Sequence, residues 1–177
     1  ASPFGSAVAQ LRSVDQIGLQ LYSLRREMAA DFEGTLAQLA EIGFTEMEFA
    51  GYHGRTATEV RRILDSFGLR SPAAHIPLTA IRQDLEREIE IAATIGQDYI
   101  VVPSLPAGER SLDDYQRHAE TLNRAGQRAK DSGVTMAYHN HDYEFDIQEG
   151  GRIGYDILTS QTDPDLVVFE MDLFWAE

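Results

Sequence analysis

The sequence predicts an α/β fold with a parallel sheet, and within that class an incomplete (β/α)8 barrel. Four times, an amphipathic segment ends at a glycine and an apolar run follows, in AEIGFTEMEFA, DSFGLRSPAAHIPL, ATIGQDYIVVPSL and KDSGVTMAYHNH. A helix C-terminus favours a left-handed residue, and this is where the four glycines stand: Gly43, Gly68, Gly96 and Gly133. The runs that follow are mostly apolar, as parallel strands covered on both faces are. Regular alternation of helix and strand predicts a parallel sheet.

Six strands are predicted. The first lies in IGLQLYSL, the sixth lies in DLVVFEMDLFW, and the four glycine junctions supply the others. Because no linker rich in Pro or Ser divides the chain, we predict one barrel domain over residues 16–177. Residues 1–15 are predicted to be a flexible arm or the remnant of a leader.

The helices carry their own start signals. Asp31 is placed to cap FEGTLAQLAEI, and Thr56 and Glu59 form a capping box before VRRILDSF. Ser111 and Asp114 form a similar pair before YQRHAETLNRAGQRAK. Between these lies the long helix AIRQDLEREIEIAATI, and the shorter IGYDILTSQ follows the fifth strand.

Two architectures fit this alternation, a barrel and an open doubly wound sheet. A dinucleotide-binding sheet would carry G-x-G-x-x-G in its first turn, but the chain has LQLYSLRREMAADF there, so no nucleotide cofactor is expected. An open six-stranded sheet without a nucleotide remains compatible. A (β/α)8 barrel usually needs about 250 residues, and the chain has 177. We favour a barrel of which about six strands are present, with exposed edges that could pair in a homo-oligomer.

Composition excludes several classes of partner and chemistry. The chain has no cysteine, so disulfides and thiolate ligands are excluded. A net charge of −14 without a basic run argues against nucleic acid. No apolar run approaches the roughly 20 residues that span a bilayer. Ala7-Val8-Ala9 resembles a leader cleavage site, which leaves cytoplasmic and exported locations both open.

Polar residues gather where the predicted strands end. In parallel α/β folds these carboxyl ends carry the functional groups. The residues at these positions are Gln20, Tyr22, Glu48, His53, His75, Ser104, His139, His141, Glu170 and Asp172. Four of the five histidines are among them. The fifth, His118, falls within a helix, where we expect it to be a solvated surface residue.

Strand alternation predicts which side chains of the segment MAYHNHDYEF face the inside of the barrel. If Ala137 faces inward, so do His139 and His141, while the residues between them face the helices. Glu170 and Asp172 likewise share one face of the sixth strand. Imidazole and carboxylate groups would then enter one cavity, as divalent metals such as Mn²⁺, Fe²⁺, Co²⁺ or Zn²⁺ require. The alternative is that these histidines serve only as hydrogen-bonding residues.

The order and spacing of IGLQLYSLRREM, IGFTEMEFAGYHGR, SPAAHIPL, VTMAYHNHDYEF and FEMDLFWAE resemble the xylose isomerase-like TIM barrels over residues 16–177. That family includes sugar phosphate isomerases/epimerases, inosose dehydratases and AP endonucleases of family 2. The resemblance implies one divalent metal (Mn, Co, Zn, Fe or Mg) held by ligands on strands five to eight. Asp172 matches the strand-six ligand, and His139 stands where a glutamate is usual. His141 or Glu144 could replace that glutamate instead, and the ligands of strands seven and eight have no counterpart here.

The resemblance also implies a function and a set of site residues. The expected activity is that of a metal-dependent isomerase or epimerase, which moves a proton next to the carbonyl of a keto-sugar, sugar phosphate or related polyol. The implied residues are Glu48 and His141 for catalysis, His53, His75 and Trp175 for the carbohydrate substrate, and His139 and Asp172 for the metal. A lyase or dehydratase acting on a keto-sugar or 3-keto-glycoside, and a non-catalytic sugar-binding subunit, remain alternatives. The acidic charge disfavours the endonuclease branch.

Overall fold

A computed structural model describes residues 17–176 of the chain. The strands are β1 Gly18–Gln20, β2 Glu46–Phe49, β3 Arg70–His75, β4 Tyr99–Val102, β5 Thr135–His139 and β6 Val167–Glu170. The helices are α1 Arg25–Ala30, α2 Phe32–Ile42, α3 Ala57–Phe67, α4 Leu78–Ile95, α5 Leu112–Lys130 and α6 Gly154–Gln161. The arm or leader predicted for residues 1–15 lies outside the described residues. Within them, no helix has both the length and the apolarity that a membrane span needs.

The six strands form one parallel sheet in the order of the chain, from β1 to β6. A doubly wound sheet reverses its strand order at a switch point, and this sheet has no reversal. Consecutive order with a helical crossover between neighbours is the arrangement of a (β/α)8 barrel. The fold is therefore a partial barrel, as the sequence predicts, and β1 and β6 form the two edges of its sheet.

The main core lies between the sheet and the helices. On β5, Met136 and Tyr138 are fully buried in it, whereas Ala137 belongs to a small separate cluster with Ala73 and Val101. These three small residues come from β3, β4 and β5 and mark the inner face of the sheet. The period-2 alternation predicted for the fifth strand is thus present.

The predicted caps are also present. Asp31 accepts a hydrogen bond from the Gly34 N–H, and the capping boxes at Thr56 and Ser111 both form with their acidic partners. Helices α2, α3 and α4 each end at a glycine with a positive φ, as predicted, whereas α5 ends at Lys130 with Asp131 as its C-cap, and Gly133 lies two residues further on. These local signals fix where each helix stops and where the next strand enters the sheet.

The first strand ends near the predicted position, whereas the long helix departs from its prediction. The first strand stops at Gln20, because the Gln20 side-chain oxygen accepts a hydrogen bond from the Tyr22 N–H at 2.6 Å and turns the chain into a 3₁₀ segment. The long helix α4 is interrupted at Asp84, whose φ is −156°. Asp84 there accepts a hydrogen bond from the Arg87 N–H at 3.2 Å, so it caps the second half of the helix.

The prediction that His118 is a solvated surface residue was wrong. Only 1% of it is exposed, because this face of α5 packs under the loop that follows β4. His118 Nε2 lies 2.9 Å from the Glu109 carbonyl oxygen, and Nδ1 lies 3.3 Å from Arg82 Nη2. Burial lowers the pKa of His118, which favours the neutral ring.

Candidate active site

A cavity of about 980 Å³ opens at the carboxyl ends of the strands. All six strands or the residues just after them contribute to its lining, which is the expected position of a site in a parallel barrel. The lining residues that carry polar or aromatic groups are Gln20, Tyr22, Ser23, Glu48, His75, Ser104, His139, His141, Glu170, Asp172, Phe174 and Trp175. Most of the strand-end residues singled out in the sequence therefore meet in one place.

Glu170 stands at the centre of the polar residues. Its Oε1 lies 2.8 Å from His139 Nδ1 and 3.2 Å from His75 Nε2. The parallel register explains this meeting, because His139 pairs with Glu170 across β5 and β6. One ligand atom from each of His75, His139 and Glu170 lies within 4.8 Å of the others, a spacing at which three such groups could hold a metal ion. Sequence reasoning placed Glu170 beside Asp172 among the carboxylates of a candidate metal cavity, but did not name it as a ligand.

The hydrogen bonds of Gln20 fix the tautomer of His75. The Tyr22 backbone N–H can only donate, so the Gln20 atom it contacts is the amide oxygen. The amide nitrogen of Gln20 then lies 3.2 Å from His75 Nδ1 and donates to it. A neutral imidazole carries one hydrogen, so Nε2 of His75 holds it and donates to Glu170. In this tautomer His75 is a hydrogen-bond donor and has no lone pair free for a metal.

His139 has the opposite arrangement. Its Nδ1 lies beside the Glu170 carboxylate, which favours the Nδ1–H tautomer and leaves the lone pair on Nε2. That Nε2 lies 3.7 Å from Asp172 Oδ2, too far for a hydrogen bond and suitable for two ligands of one ion. A carboxylate that orients a histidine whose other nitrogen binds metal is a recurrent arrangement. His139 and Asp172, the predicted metal residues, are thus neighbours.

Asn140 positions Asp172. Its side chain donates to the Asp172 carbonyl oxygen at 3.1 Å and accepts from the Asp172 N–H at 2.9 Å. Asn140 is only 1% exposed, so these two hydrogen bonds are shielded from water. It ties the segment after β6 to the end of β5 and sets the separation between Asp172 and His139.

Glu48 and Glu170 form an unequal pair of carboxyl groups. Burial raises the pKa of Glu48 to about 9, and its hydrogen bond with Glu170 and the charge of Glu170 act in the same direction. Burial alone would also raise the pKa of Glu170, but hydrogen bonds with the two histidines and with Glu48 outweigh it and lower that pKa. At neutral pH, Glu48 therefore holds a proton beside an ionised Glu170. Two nearby carboxyl groups with separated pKa values are suited to acid and base roles.

His141 lies between aromatic rings at the cavity wall. Its ring centroid is 5.6 Å from that of Tyr143, with planes 11° apart, and 5.4 Å from that of Trp175. Burial lowers the pKa of His141, and the nearby His139 lowers it further. Its Nδ1 is buried without a hydrogen-bond partner, and within residues 17–176 its ring makes no hydrogen bond at all. The lowered pKa favours the neutral imidazole, and its hydrogen-bonding capacity is unused within the described residues.

Glu144 does not reach the cavity. It is fully buried, and its two oxygens accept hydrogen bonds from the Tyr138 hydroxyl and from the His141 N–H. Burial raises the pKa of Tyr138, and the charge of Glu144 raises it further. Glu144 is therefore placed to fix the turn that carries His141, a role that sequence reasoning did not assign.

His53 is also placed away from the cavity. It is exposed in the loop after β2, has a φ of +50°, and sets its ring edge against Phe32 at a centroid distance of 5.9 Å. Trp175, by contrast, lines the cavity, with 36% of its surface exposed. The structure thus brings together Glu48, His75, His139, His141, Asp172 and Trp175, and it leaves His53 outside this group.

A parallel sheet in chain order, with its polar cavity at the carboxyl edge, places this chain in the TIM-barrel class of proteins. Residues 36–156 match the sequence profile of the xylose isomerase-like TIM barrels. The chain belongs to that family, as the sequence motifs indicate. The matched region includes Glu48, His75, His139 and His141.

Solved structures extend the comparison over the whole barrel segment. A sugar phosphate isomerase/epimerase from Parabacteroides distasonis is 29% identical, with 99% of this chain and 71% of that chain aligned at a TM-score of 0.79. An AP endonuclease of family 2 from Brucella melitensis is 15% identical over 81% of this chain and 64% of its own (TM-score 0.65). The IOLI protein with a zinc atom is 12% identical over 86% of this chain and 60% of its own (TM-score 0.59). The last two show the fold alone, and no protein of curated function matches the chain in sequence.

Proposed function

We propose that the protein is a metal-dependent isomerase or epimerase that moves a proton on the carbon next to the carbonyl of a keto-sugar. The observation that carries this proposal is the meeting, in one cavity, of a protonated Glu48, a neutral His141 and a mixed nitrogen–oxygen donor set. Membership of the xylose isomerase-like family and the likeness to a sugar phosphate isomerase/epimerase support the same chemistry.

The donor set fits a divalent metal. Imidazole nitrogen with carboxylate oxygen is the ligand chemistry of Zn²⁺, Mn²⁺, Fe²⁺ and Co²⁺. The tautomers favour His139 Nε2 and Asp172 as ligands, with Glu170 orienting His139. When bound, such a metal supplies a positive charge that polarises a carbonyl oxygen. The likeness to a zinc-containing protein of the same fold is consistent with this assignment.

In this proposal one residue removes the proton from the substrate and another donates a proton to it. His141, neutral at pH 7, accepts the proton from the carbon next to the carbonyl. Glu48, which keeps its proton at that pH, donates to an oxygen or to the neighbouring carbon. His75, held as the Nε2–H tautomer by Gln20, donates its hydrogen to Glu170 and so holds that carboxylate in place beside Glu48. Groups whose pKa values are pushed apart in this way provide the acid and the base together.

Deuterium exchange tests this proposal. The protein loaded with Mn²⁺, Co²⁺ or Zn²⁺ is incubated in D₂O with a panel of keto-sugars, and ¹H NMR follows the signal of the carbon next to the carbonyl. We expect that signal to disappear, a new sugar isomer to form, and the exchange to fall at least 100-fold in Glu48→Gln. A lyase would instead release water or an aglycone after the same exchange. Binding of sugars without exchange would indicate a non-catalytic subunit and contradict the proposal.

A further inference from the structure

The His141 ring is oriented by its aromatic neighbours. The His141 backbone N–H donates to Glu144 Oε2 at 2.8 Å, which fixes the main chain but not the side-chain torsions. In the described part of the chain the imidazole itself makes no hydrogen bond. It runs nearly parallel to the Tyr143 ring, with planes 11° apart and centroids 5.6 Å apart. The direction in which the imidazole points therefore depends on how firmly Tyr143 is held.

Tyr143 is anchored to the loop that follows β4 and to α5. Its hydroxyl oxygen accepts a hydrogen bond from the Leu105 N–H at 2.9 Å. Its carbonyl oxygen accepts a hydrogen bond from the Tyr115 hydroxyl, on α5, at 3.3 Å. Burial raises the pKa of Tyr143, so the ring is uncharged at neutral pH. These contacts hold both ends of the Tyr143 residue.

The Arg110 guanidinium restrains the face of the Tyr143 ring. It lies over that ring, with Cζ 3.4 Å from the ring centroid, where a cation is attracted to the aromatic face. Its Nε and Nη2 both donate to the Leu105 carbonyl oxygen, at 3.3 and 2.9 Å. Leu105 therefore binds Arg110 through its C=O and Tyr143 through its N–H. A planar guanidinium with two such bonds has little freedom to turn.

Arg110 reaches His141 only through Tyr143. The Arg110 side chain does not line the cavity, whereas His141 does. The Arg110 carbonyl oxygen accepts a hydrogen bond from Gln148 Nε2 at 3.0 Å, so its backbone is also tied to the loop after β5. The loops after β4 and β5 are thus joined around one tyrosine ring, and that ring contacts the imidazole.

We infer that Arg110 is a positioning residue, which through the Tyr143 ring holds the His141 imidazole in the orientation that removes a proton from a bound substrate. This inference rests on the proposed function, in which His141 is the base, and adds to it a residue from outside the cavity. A displacement of about 1 Å at a reacting group can cost roughly 10²-fold in rate. A purely structural Arg110 would instead stabilise the loop after β4 and have no effect on the imidazole.

NMR of the full chain reports the orientation of His141 without requiring activity. The ¹H–¹³C signals of the five histidine rings are recorded with Zn²⁺ present at about pH 8, above the ordinary pKa of imidazole, and His141→Ala assigns one of them. Ring-current shifts depend steeply on where a proton lies relative to a neighbouring aromatic ring. Tyr143→Leu removes that ring and gives the signal of the unstacked imidazole. We expect Arg110→Met to move the His141 signal towards this position.

Arg55 provides the matched control. Its guanidinium also lies over an aromatic ring, that of Phe32, at 4.0 Å, and it also donates to a backbone carbonyl oxygen, at 3.4 Å. Like Arg110, it is half-buried and stands in a loop after a strand. The Phe32 ring stacks on Phe49 in the core. Arg55→Met should therefore leave the His141 signal and the exchange rate unchanged.

Kinetics and stability separate positioning from a structural role. We expect Arg110→Met to lower kcat for deuterium exchange about 10- to 100-fold with KM within about threefold, because the groups that contact the substrate are retained. Tyr143→Phe keeps the ring but removes the partner of the Leu105 N–H. It should lower the Tm by roughly 3 to 10 °C and keep most of kcat, whereas Tyr143→Leu should lower both.

The outcomes decide the inference and separate it from the proposed function. A folded Arg110→Met protein with the parent's His141 signal would overturn the inference, whether or not kcat falls. If that variant does not fold, Arg110→Lys replaces it, since an ammonium lacks the planar fork; an unmoved signal with the parent's kcat would again overturn the inference. A signal that moves while neither parent nor variants exchange deuterium would refute the isomerase proposal and leave Arg110 as the residue that orients His141.

Discussion

His118 and His141 are both shielded imidazoles whose pKa is lowered by burial, yet their surroundings differ. Both ring nitrogens of His118 have partners, the Glu109 carbonyl oxygen and the Arg82 guanidinium. The ring of His141 has none within residues 17–176, although its Nδ1 is buried. A buried polar atom without a partner costs free energy, so a fold that retains one needs another reason for it.

The comparison shows what distinguishes a histidine of the scaffold from one of the site. His118 ties the loop after β4 to two helices, and all its hydrogen-bonding capacity is used within the fold. His141 is held by its backbone and by ring stacking, so the hydrogen-bonding capacity of its ring is unused within residues 17–176. His118 and His141 are alike in burial and in the direction of their pKa shift, and they differ in whether their ring nitrogens have hydrogen-bond partners.

The largest expected effect is on catalysis at His141. We expect His141→Ala to lower the rate of deuterium exchange on a keto-sugar by about 10²- to 10⁴-fold, the usual contribution of a general base. The measurement is the exchange rate per mole of metal-loaded protein. The same substitution at His118 should leave that rate within a few-fold. Equal losses in the two variants would remove the distinction between the histidines.

A smaller effect, on metal affinity, is expected when the glutamate beside His139 is substituted, and none when the glutamate beside His118 is substituted. Glu170→Gln removes the carboxylate that orients His139 and should weaken metal binding about 10- to 100-fold. Glu109→Gln is the matched control, because Glu109 pairs with Arg82 near His118 and away from the cavity. Competition titrations with a metal indicator give both affinities. A normal affinity in Glu170→Gln would contradict its role as the orienting group.

The scaffold role of His118 predicts a loss of stability. His118→Ala leaves the Glu109 carbonyl without its hydrogen bond and opens a small void under the loop. We expect the Tm to fall by roughly 3 to 10 °C, measured by circular dichroism, with little change for His141→Ala. A His118→Ala protein as stable as the parent would show that these hydrogen bonds contribute nothing.

The smallest effect concerns pH. Burial lowers the pKa of His118 in the folded protein below its ordinary value of about 6.5, at which the unfolded chain takes up the proton. Below that pH the unfolded state binds more protons, so the free energy of unfolding decreases on acidification, by at most about 1.4 kcal/mol per pH unit for one group. Urea titrations between pH 7 and pH 5 should show a shallower decrease for His118→Gln than for the parent. Parallel curves would contradict the prediction.

Much of the fold could be predicted from the sequence because its signals are local. The caps at Asp31, Thr56 and Ser111 and the glycines at helix ends lie within a few residues of what they control. The barrel topology then predicted that the polar residues at the strand ends meet in one cavity. The interruption of α4 at Asp84 was missed, because the sequence does not show whether an aspartate inside a helical pattern continues the helix or caps a new helical segment.

The details of the site could not be predicted, because they depend on contacts between distant parts of the chain. Gln20 meets His75 across 55 positions, and Glu170 meets His75 across 95. These contacts decide which nitrogen of each histidine carries the hydrogen, and therefore which histidine can bind a metal. The burial of His118 was missed for the same reason, since its partner Arg82 lies on another helix.

Metal content is the most direct test of a metal centre formed by His139 and Asp172. The full chain is loaded with Zn²⁺ or Mn²⁺, dialysed, and analysed by inductively coupled plasma mass spectrometry, beside His139→Ala, Asp172→Ala and, as a control, His118→Ala. We predict about one metal ion per chain in the parent and in the His118 variant, and a large loss in the other two. Metal retained in full by both His139→Ala and Asp172→Ala would contradict the assignment of this site.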